Sequence, residues 1–334
     1  MMRWGLIGAS TIAEQHMIGA IRATGGEVAA VVSTTAARAA DYAAKHGIAA
    51  HGSELSVILD DPAIQAVYIS STNEKHHAQA LAAIAAGKHV LCEKPLAMTV
   101  ADAAEMVGMA KAAGLVLATN HHLRCSGSHR TIRDLIASGR IGRVLSLRLF
   151  HAVHLPANLQ GWRINDASAG GGVIPDITVH DADVARFLLG EDPETVVAQM
   201  TASGLGQGVE DSVMSVWTMP SGAMVMAHES FTHPFAGSGL EVHGSEGSIF
   251  ARGVMTQQPL GEIELVTAKG RESVPFPAHN LYVQGVSDFL AAVAGKGQPA
   301  ASGRDGVASL AVAFAVREAA RTGVRQAVAY GGAA

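Results

Sequence analysis

The sequence predicts a two-domain α/β protein. A doubly wound parallel sheet comes first, then an α+β domain with a large, mostly antiparallel, open-faced sheet. Three observations predict this. The first 120 residues alternate short apolar runs with Ala-rich helical stretches. A glycine-bearing turn at Gly8 closes the first apolar run and opens the first helical one. Beyond about residue 140 polar and apolar residues alternate, the period of strands with one buried face.

In the first domain, strands are expected at residues 4–7, 28–32, 66–70, 90–92 and 115–119. Helices are expected between them, at 12–23, 36–46, 75–86 and 101–113. Short apolar strands joined through helices pair in parallel and need cover on both faces. Gly25, Gly47, Gly87 and Gly114 stand where helices would end. Thr99 with Asp102 reads as a capping box opening the last helix.

In the second domain, Leu145, Leu147 and Leu149 alternate with Ser146, Arg148 and Phe150. Further strands are expected at residues 213–219, 223–229, 239–244 and 261–266. "DITVHDADVARFLLG", residues 176–190, reads as a helix ending in glycine, and "GRDGVASLAVAFAVREAARTG" as another. The expected domains are 1–120 and 121–334, with the C-terminal helices packing back on the first.

Composition narrows the class. With 49% hydrophobic and 16% charged residues, the 334-residue chain has the balance of a soluble enzyme. A net charge of −5 without Lys or Arg runs argues against nucleic acid as a partner. No apolar run approaches the ~18 residues of a membrane span, and the N-terminus does not read as a signal peptide. Cys92 and Cys125 offer neither a metal spacing nor a disulfide framework, which fits a reducing cytoplasm.

The turn after the first strand reads Gly8-Ala9-Ser10-Thr11-Ile12-Ala13. Against Gly-x-Gly-x-x-Gly, Ser10 and Ala13 replace the later glycines. Such a turn brings a pyrophosphate to the free N–H groups of a helix start, as in Rossmann domains. The second strand ends in Ser33, Thr34 and Thr35, with Arg38 one helical turn on. An NAD site usually carries an acid here. Hydroxyls with an arginine suit a 2′-phosphate, so NADP(H) is the expected cofactor. After the strand at 66–70, Ser71, Thr72, Asn73 and His76 can line the ribose and nicotinamide side. His76 reads equally as a solvated residue at a helix start.

Two motifs point to the chemistry. Glu93-Lys94-Pro95 ends a strand, where Lys94 can offer a positive charge to a developing alkoxide. Pro95 bends the chain away, in a setting that suits a cis bond. Asp176 and His180 stand four apart on an expected helix, so they share a face, and Asp176 can hold the imidazole. His151 and His154 read as lining a sugar pocket or as sheet-surface residues. No zinc-ligand pattern is present, and no metal is expected.

"AGKHVLCEKPLA" and "GGGVIPDITVHD", in this order after a nucleotide turn, resemble the glucose–fructose oxidoreductase / inositol dehydrogenase (Gfo/Idh/MocA) family. "RWGLIGASTIA", "TNHHLR", "LQGWR", "EVHG" and "VMTQ" extend the resemblance over nearly the whole chain. It implies a Rossmann domain, an antiparallel-sheet domain and NADPH-dependent reduction of 1,5-anhydro-D-fructose to 1,5-anhydro-D-mannitol. It also implies cofactor contacts from Gly8, Ala9, Ser10, Thr11, Ile12, Ser33, Thr34, Arg38, Ser71, Thr72, Asn73, His76, Glu93, Lys94 and Asn120. Trp162, Arg163 and Tyr282 join them. Lys94, Asp176 and His180 would do the catalysis, and His151, Trp162 and Arg163 would help hold the sugar. Pro175 and Ser126-Gly127-Ser128 depart from the family pattern, and Pro175 would re-aim Asp176 slightly.

Either His180 or Lys94 can be the proton donor. Two other readings stand beside the reductase: an NAD(P)-dependent dehydrogenase of a sugar or cyclitol hydroxyl, and a nucleotide-sensing protein without turnover. The expected partner is a small sugar. The chain is expected to be a monomer or a weak homo-oligomer, with Ser146, Arg148, Glu241 and His243 on the open sheet face.

Overall fold

The computed structural model describes residues 1–331, which form two compact units. The first is Met1–His121 with Tyr282–Val307; the second is His122–Leu281 with residues 308–331. No helix among the described residues is long and apolar enough to cross a membrane.

The first unit is built on β1 (Arg3–Ile7), β2 (Glu27–Val32), β3 (Ala50–Gly52), β4 (Ala66–Ile69), β5 (His89–Cys92) and β6 (Leu117–Thr119). They form one sheet in the order β3-β2-β1-β4-β5-β6, every pair parallel. Helices on its faces explain the uninterrupted apolar strands: all four residues of β4 are buried. The strand order reverses between β1 and β4, so the carboxyl ends there open a crevice. Gly8, Ser70, Ser71, Glu93 and Lys94 follow directly on these strands.

Sequence reasoning missed β3 and the short helix Ser56–Leu59. A largely exposed Ala-His-Gly strand carries no apolar signal. The expected regular helix at 12–23 opens instead with a π-helical turn, Ala13–Met17, before the α-helix Ile18–Ala23. Thr99 caps the helix Val100–Ala112 as expected, accepting from Asp102 N–H at 3.0 Å.

The second unit holds a nine-stranded sheet of β7 (Val144–Ala152), β8 (Thr195–Thr201), β9 (Ser212–Thr218), β10 (Met224–Ser230), β11 (Ser238–Gly244), β12 (Gly247–Arg252), β13 (Glu262–Thr267), β14 (Gly270–Ser273) and β15 (Gln326–Ala327). The order is β14-β13-β12-β11-β7-β10-β9-β8-β15. The sheet is mixed: β7 and β10 pair in parallel, and the other neighbours are antiparallel.

On the inner face Leu147, Leu149, Trp217, Val225 and Ala227 pack with Val184, Leu188, Val312 and Val316 from helices. The outer face carries Met214, Val216, Met224 and Met226, all exposed. It also carries the foreseen polar patch, where Arg148 meets Glu241 at 3.2 Å. Leu145 departs from the expected alternation and is exposed. The register between β7 and β11 shifts at His243/Gly244, next to this strand start, and a bulge breaks the period of two.

Candidate active site

The nucleotide turn of the first unit is built as its sequence requires. Gly8 has φ 116°, and a Cβ there would lie 2.8 Å from the backbone of Ser70 and Ser71. Only glycine lets β1 and β4 end this close together. Ser10 Oγ bonds Ser70 Oγ at 2.7 Å and accepts from Ala13 N–H at 3.2 Å, capping the helix start. Tyr42 Oη donates to the Ser10 carbonyl at 3.0 Å. Arg38 donates to the Ala9 carbonyl at 3.0 Å, which anchors its guanidinium to the turn. A cradle that a side chain would fill, a helix start and an adjacent cation fit a dinucleotide phosphate.

The neighbouring strand ends are tied to one another. Glu93 Oε1 accepts from Tyr68 Oη and from Asn120 Nδ2. Glu93 and Asn120, foreseen as cofactor contacts, bond each other. They stiffen the segment that presents Lys94. The Lys94–Pro95 bond is cis, as the sequence suggested.

His76 is neither solvated nor open on the crevice. It is fully buried, with Nδ1 2.9 Å from the Pro95 carbonyl and Nε2 3.1 Å from the Ser71 carbonyl. Its ring links the two turns. Burial pushes its pKa down, against the pull of both carbonyls. Ser71 Oγ donates to Gln79 at 2.6 Å, Thr72 Oγ1 to Glu74 at 2.6 Å, and Asn73 is buried. Tyr282 is also buried, stacked on His16 of the π turn with ring centroids 4.4 Å apart.

In the second unit the Trp162-Arg163 segment lies on a glycine-rich floor. Gly171 N–H donates to the Asp166 carbonyl and Gly172 N–H to the Arg163 carbonyl, both at 2.8 Å. A Cβ on Gly171 would lie 2.6 Å from the Trp162 carbonyl. The glycines therefore let the Trp162-Arg163 segment lie directly on them. The Arg163 guanidinium stacks over the Trp162 ring at 4.5 Å, and its Nε pairs with Asp176 at 3.5 Å.

The expected single helix is two. A π turn, Ile174–Thr178, contains Asp176, and the α-helix Val179–Leu189 begins one residue before His180. The wider π turn shifts the simple four-residue face relation. Pro175 is accommodated at the start of that turn, where no intrahelical N–H is needed.

His180 is 7% exposed and lies among other histidines. Its ring centroid is 4.8 Å from that of His122 and 6.5 Å from that of His151. His151, foreseen as a substrate contact, turns Nδ1 to Asp181 Oδ1 at 2.9 Å. Sequence reasoning missed Ser70, Tyr42, His122, Asp181 and Glu229. "VHDAD" did carry Asp181 beside His180, but no local spacing reveals that it meets His151, thirty residues away.

Fold and site together define a dinucleotide-binding oxidoreductase. Residues 2–121 match the family model "Oxidoreductase family, NAD-binding Rossmann fold" and residues 129–250 the "GFO/IDH/MocA C-terminal domain". The chain belongs to the GFO/IDH/MocA family. It is 55% identical to the 1,5-anhydro-D-fructose reductase of Ensifer adhaerens over 324 residues, 97% of each chain. It is 27% identical to the myo-inositol 2-dehydrogenase of Thermotoga maritima, over 95% of this chain and 96% of that one. Among solved structures, an aldose-aldose oxidoreductase from Caulobacter crescentus complexed with glycerol matches with TM-score 0.90 and 26% identity, covering 98% and 99% of the two chains. A levoglucosan dehydrogenase complexed with NADH and levoglucosan matches with TM-score 0.88 and 25% identity, over 98% and 99%.

Proposed function

We propose that this protein reduces 1,5-anhydro-D-fructose to 1,5-anhydro-D-mannitol with NADPH. The observation that carries the reading is the 55% identity, over 97% of both chains, to the reductase of that name. The cofactor choice draws on Arg38 and the hydroxyls of Ser33 and Thr34, with no carboxylate at that strand end. Gly8 and Ser10 would hold the pyrophosphate turn. Reduced nicotinamide, when bound, supplies a hydride to the carbonyl carbon.

The chain's own residues do the rest. Lys94 offers its ammonium to the oxygen as negative charge develops there. His180 gives that oxygen its proton, a role worth roughly 10²–10⁴ in rate. Asp176 and Arg163, paired at 3.5 Å, hold the Trp162 segment and orient the sugar hydroxyls. Both cysteines are buried free thiols, which suits work in the cytoplasm.

The deciding experiment measures NADPH consumption with a panel of keto-sugars, against NADP⁺ reduction with myo-inositol and other sugars. Turnover of 1,5-anhydro-D-fructose well above the rest supports the reading. Oxidation of a cyclitol or aldose with no ketone reduction replaces it with the dehydrogenase reading. Cofactor binding without turnover of any kind indicates a sensor.

A further inference from the structure

The second unit buries more titratable groups than a single acid catalyst needs. Glu229 on β10 and His151 on β7 are register partners, so they stand side by side on the inner face of the sheet. Asp181, from the helix Val179–Leu189, reaches His151 Nδ1 at 2.9 Å. Asp181 and Glu229 are both 0% exposed, whereas the His151 side chain retains 13% of its surface in solvent.

Burial raises the Glu229 carboxyl well above the usual range, and the neighbouring Asp181 charge raises it further; the Thr178 hydroxyl pulls the other way. Burial and the Asp181 charge both favour the protonated form of Glu229. Asp181 is also raised by burial, but His151 pulls it back. His129, on the helix Gly127–Ala137, is pushed down to about 3 by burial and by His151, so it stays neutral. Arg124, on the segment that carries His122, is engaged by Asp183 at 2.7 Å. Asp176 faces Arg163.

We propose that His151, held by Asp181 against the buried Glu229, is a positioning residue that reloads His180 with a proton after each turnover. The inference rests on His180 being the acid proposed above. Nδ1–H of His151 donates to Asp181, which leaves Nε2 as the exchanging atom. With ring centroids 6.5 Å apart, one water can bridge His151 to His180. The balance closes. The alkoxide takes the His180 proton and becomes the alcohol. His180, now neutral, takes the Nε2 proton of a doubly protonated His151, which keeps its Nδ1–H on Asp181. Solvent returns one proton to His151 at its exposed edge.

The test measures kcat against pH at saturating NADPH and 1,5-anhydro-D-fructose for wild type, His151→Ala, Asp181→Asn and His180→Ala. Reloading through His151 predicts that His151→Ala and Asp181→Asn lose about tenfold in kcat at alkaline pH, with both KM values unchanged. It also predicts that added imidazole buffer raises the His151→Ala rate in proportion to its concentration. A purely structural role produces no such buffer dependence. A wild-type pH profile in folded His151→Ala, with His180→Ala crippled, overturns this inference alone. Near-normal kcat in His180→Ala overturns it together with the catalytic assignment.

Discussion

Arg38 donates to the carbonyl of Ala9 at 3.0 Å, so the cation beside the second strand is anchored to the nucleotide turn itself. Hydrogen bonds to charged groups contribute roughly 1.5–3 kcal/mol, so Arg38→Ala should lower kcat/KM for NADPH by about 10- to 100-fold. The value for NADH should change little. Parallel steady-state assays with the two cofactors check this, and an unchanged ratio dismisses the role.

Removing the proposed acid should be costly. His180→Ala is expected to lose roughly 10²–10⁴ in kcat while NADPH affinity stays near normal. Lys94→Ala should lose rate as well, through the oxyanion. Fluorescence titration with NADPH, run beside the activity assay, separates lost chemistry from lost binding. Near-normal kcat in both variants sinks the mechanism.

Gly8→Ala tests the cradle. The new methyl would meet the backbone of Ser70 and Ser71 at 2.8 Å, at a φ of 116°. Such strain costs on the order of 1–3 kcal/mol. We expect a lower Tm and a Kd for NADPH raised at least several-fold, read by calorimetry. Tight binding in the variant would show that the turn does not approach the phosphate.

His76 ties the turns after β4 and β5 together. His76→Ala should leave the carbonyls of Ser71 and Pro95 without the ring and lower the unfolding free energy by about 1–3 kcal/mol. Urea denaturation measures it. An unaltered midpoint would mean that water replaces the ring at no cost.

Asp211 sets an acid limit on the second unit. Burial would raise its pKa, but the N–H groups of Gly206, Ser203, Gly204 and Leu205 outweigh burial and hold it at about 2. In the unfolded chain it titrates near 4, so the folded value is depressed. The stabilisation, about 2 kcal/mol, is therefore present above pH ~4 and disappears as pH falls towards ~2. Asp211→Asn should be less stable than wild type at pH 7 and equal to it near pH 2. A constant gap across that range would assign the loss to packing.

Short-range patterns carried much of this molecule into view. The apolar runs, the Thr99 cap, the Gly8 turn and the Glu93-Lys94-Pro95 strand end are each encoded within a few neighbouring residues, and each forms where expected. The failures have physical causes too. β3 buries too little to leave a pattern, and Leu145 lies beside a bulge. The π turns at Ala13–Met17 and Ile174–Thr178 each fit one more residue into a turn than α-helical periodicity assumes.

The identity of the reactive side chains was local information; their partners were not. Glu93 was foreseen as a cofactor contact, and the fold bonds it to Tyr68 and Asn120. His151 read as lining a sugar pocket or as a sheet-surface residue, and the fold sets its Nδ1 on Asp181. Asp181 and Glu229 were silent in the chain because their properties arise from burial and proximity. Strand register and helix packing create both, by bringing together residues that lie far apart in the chain.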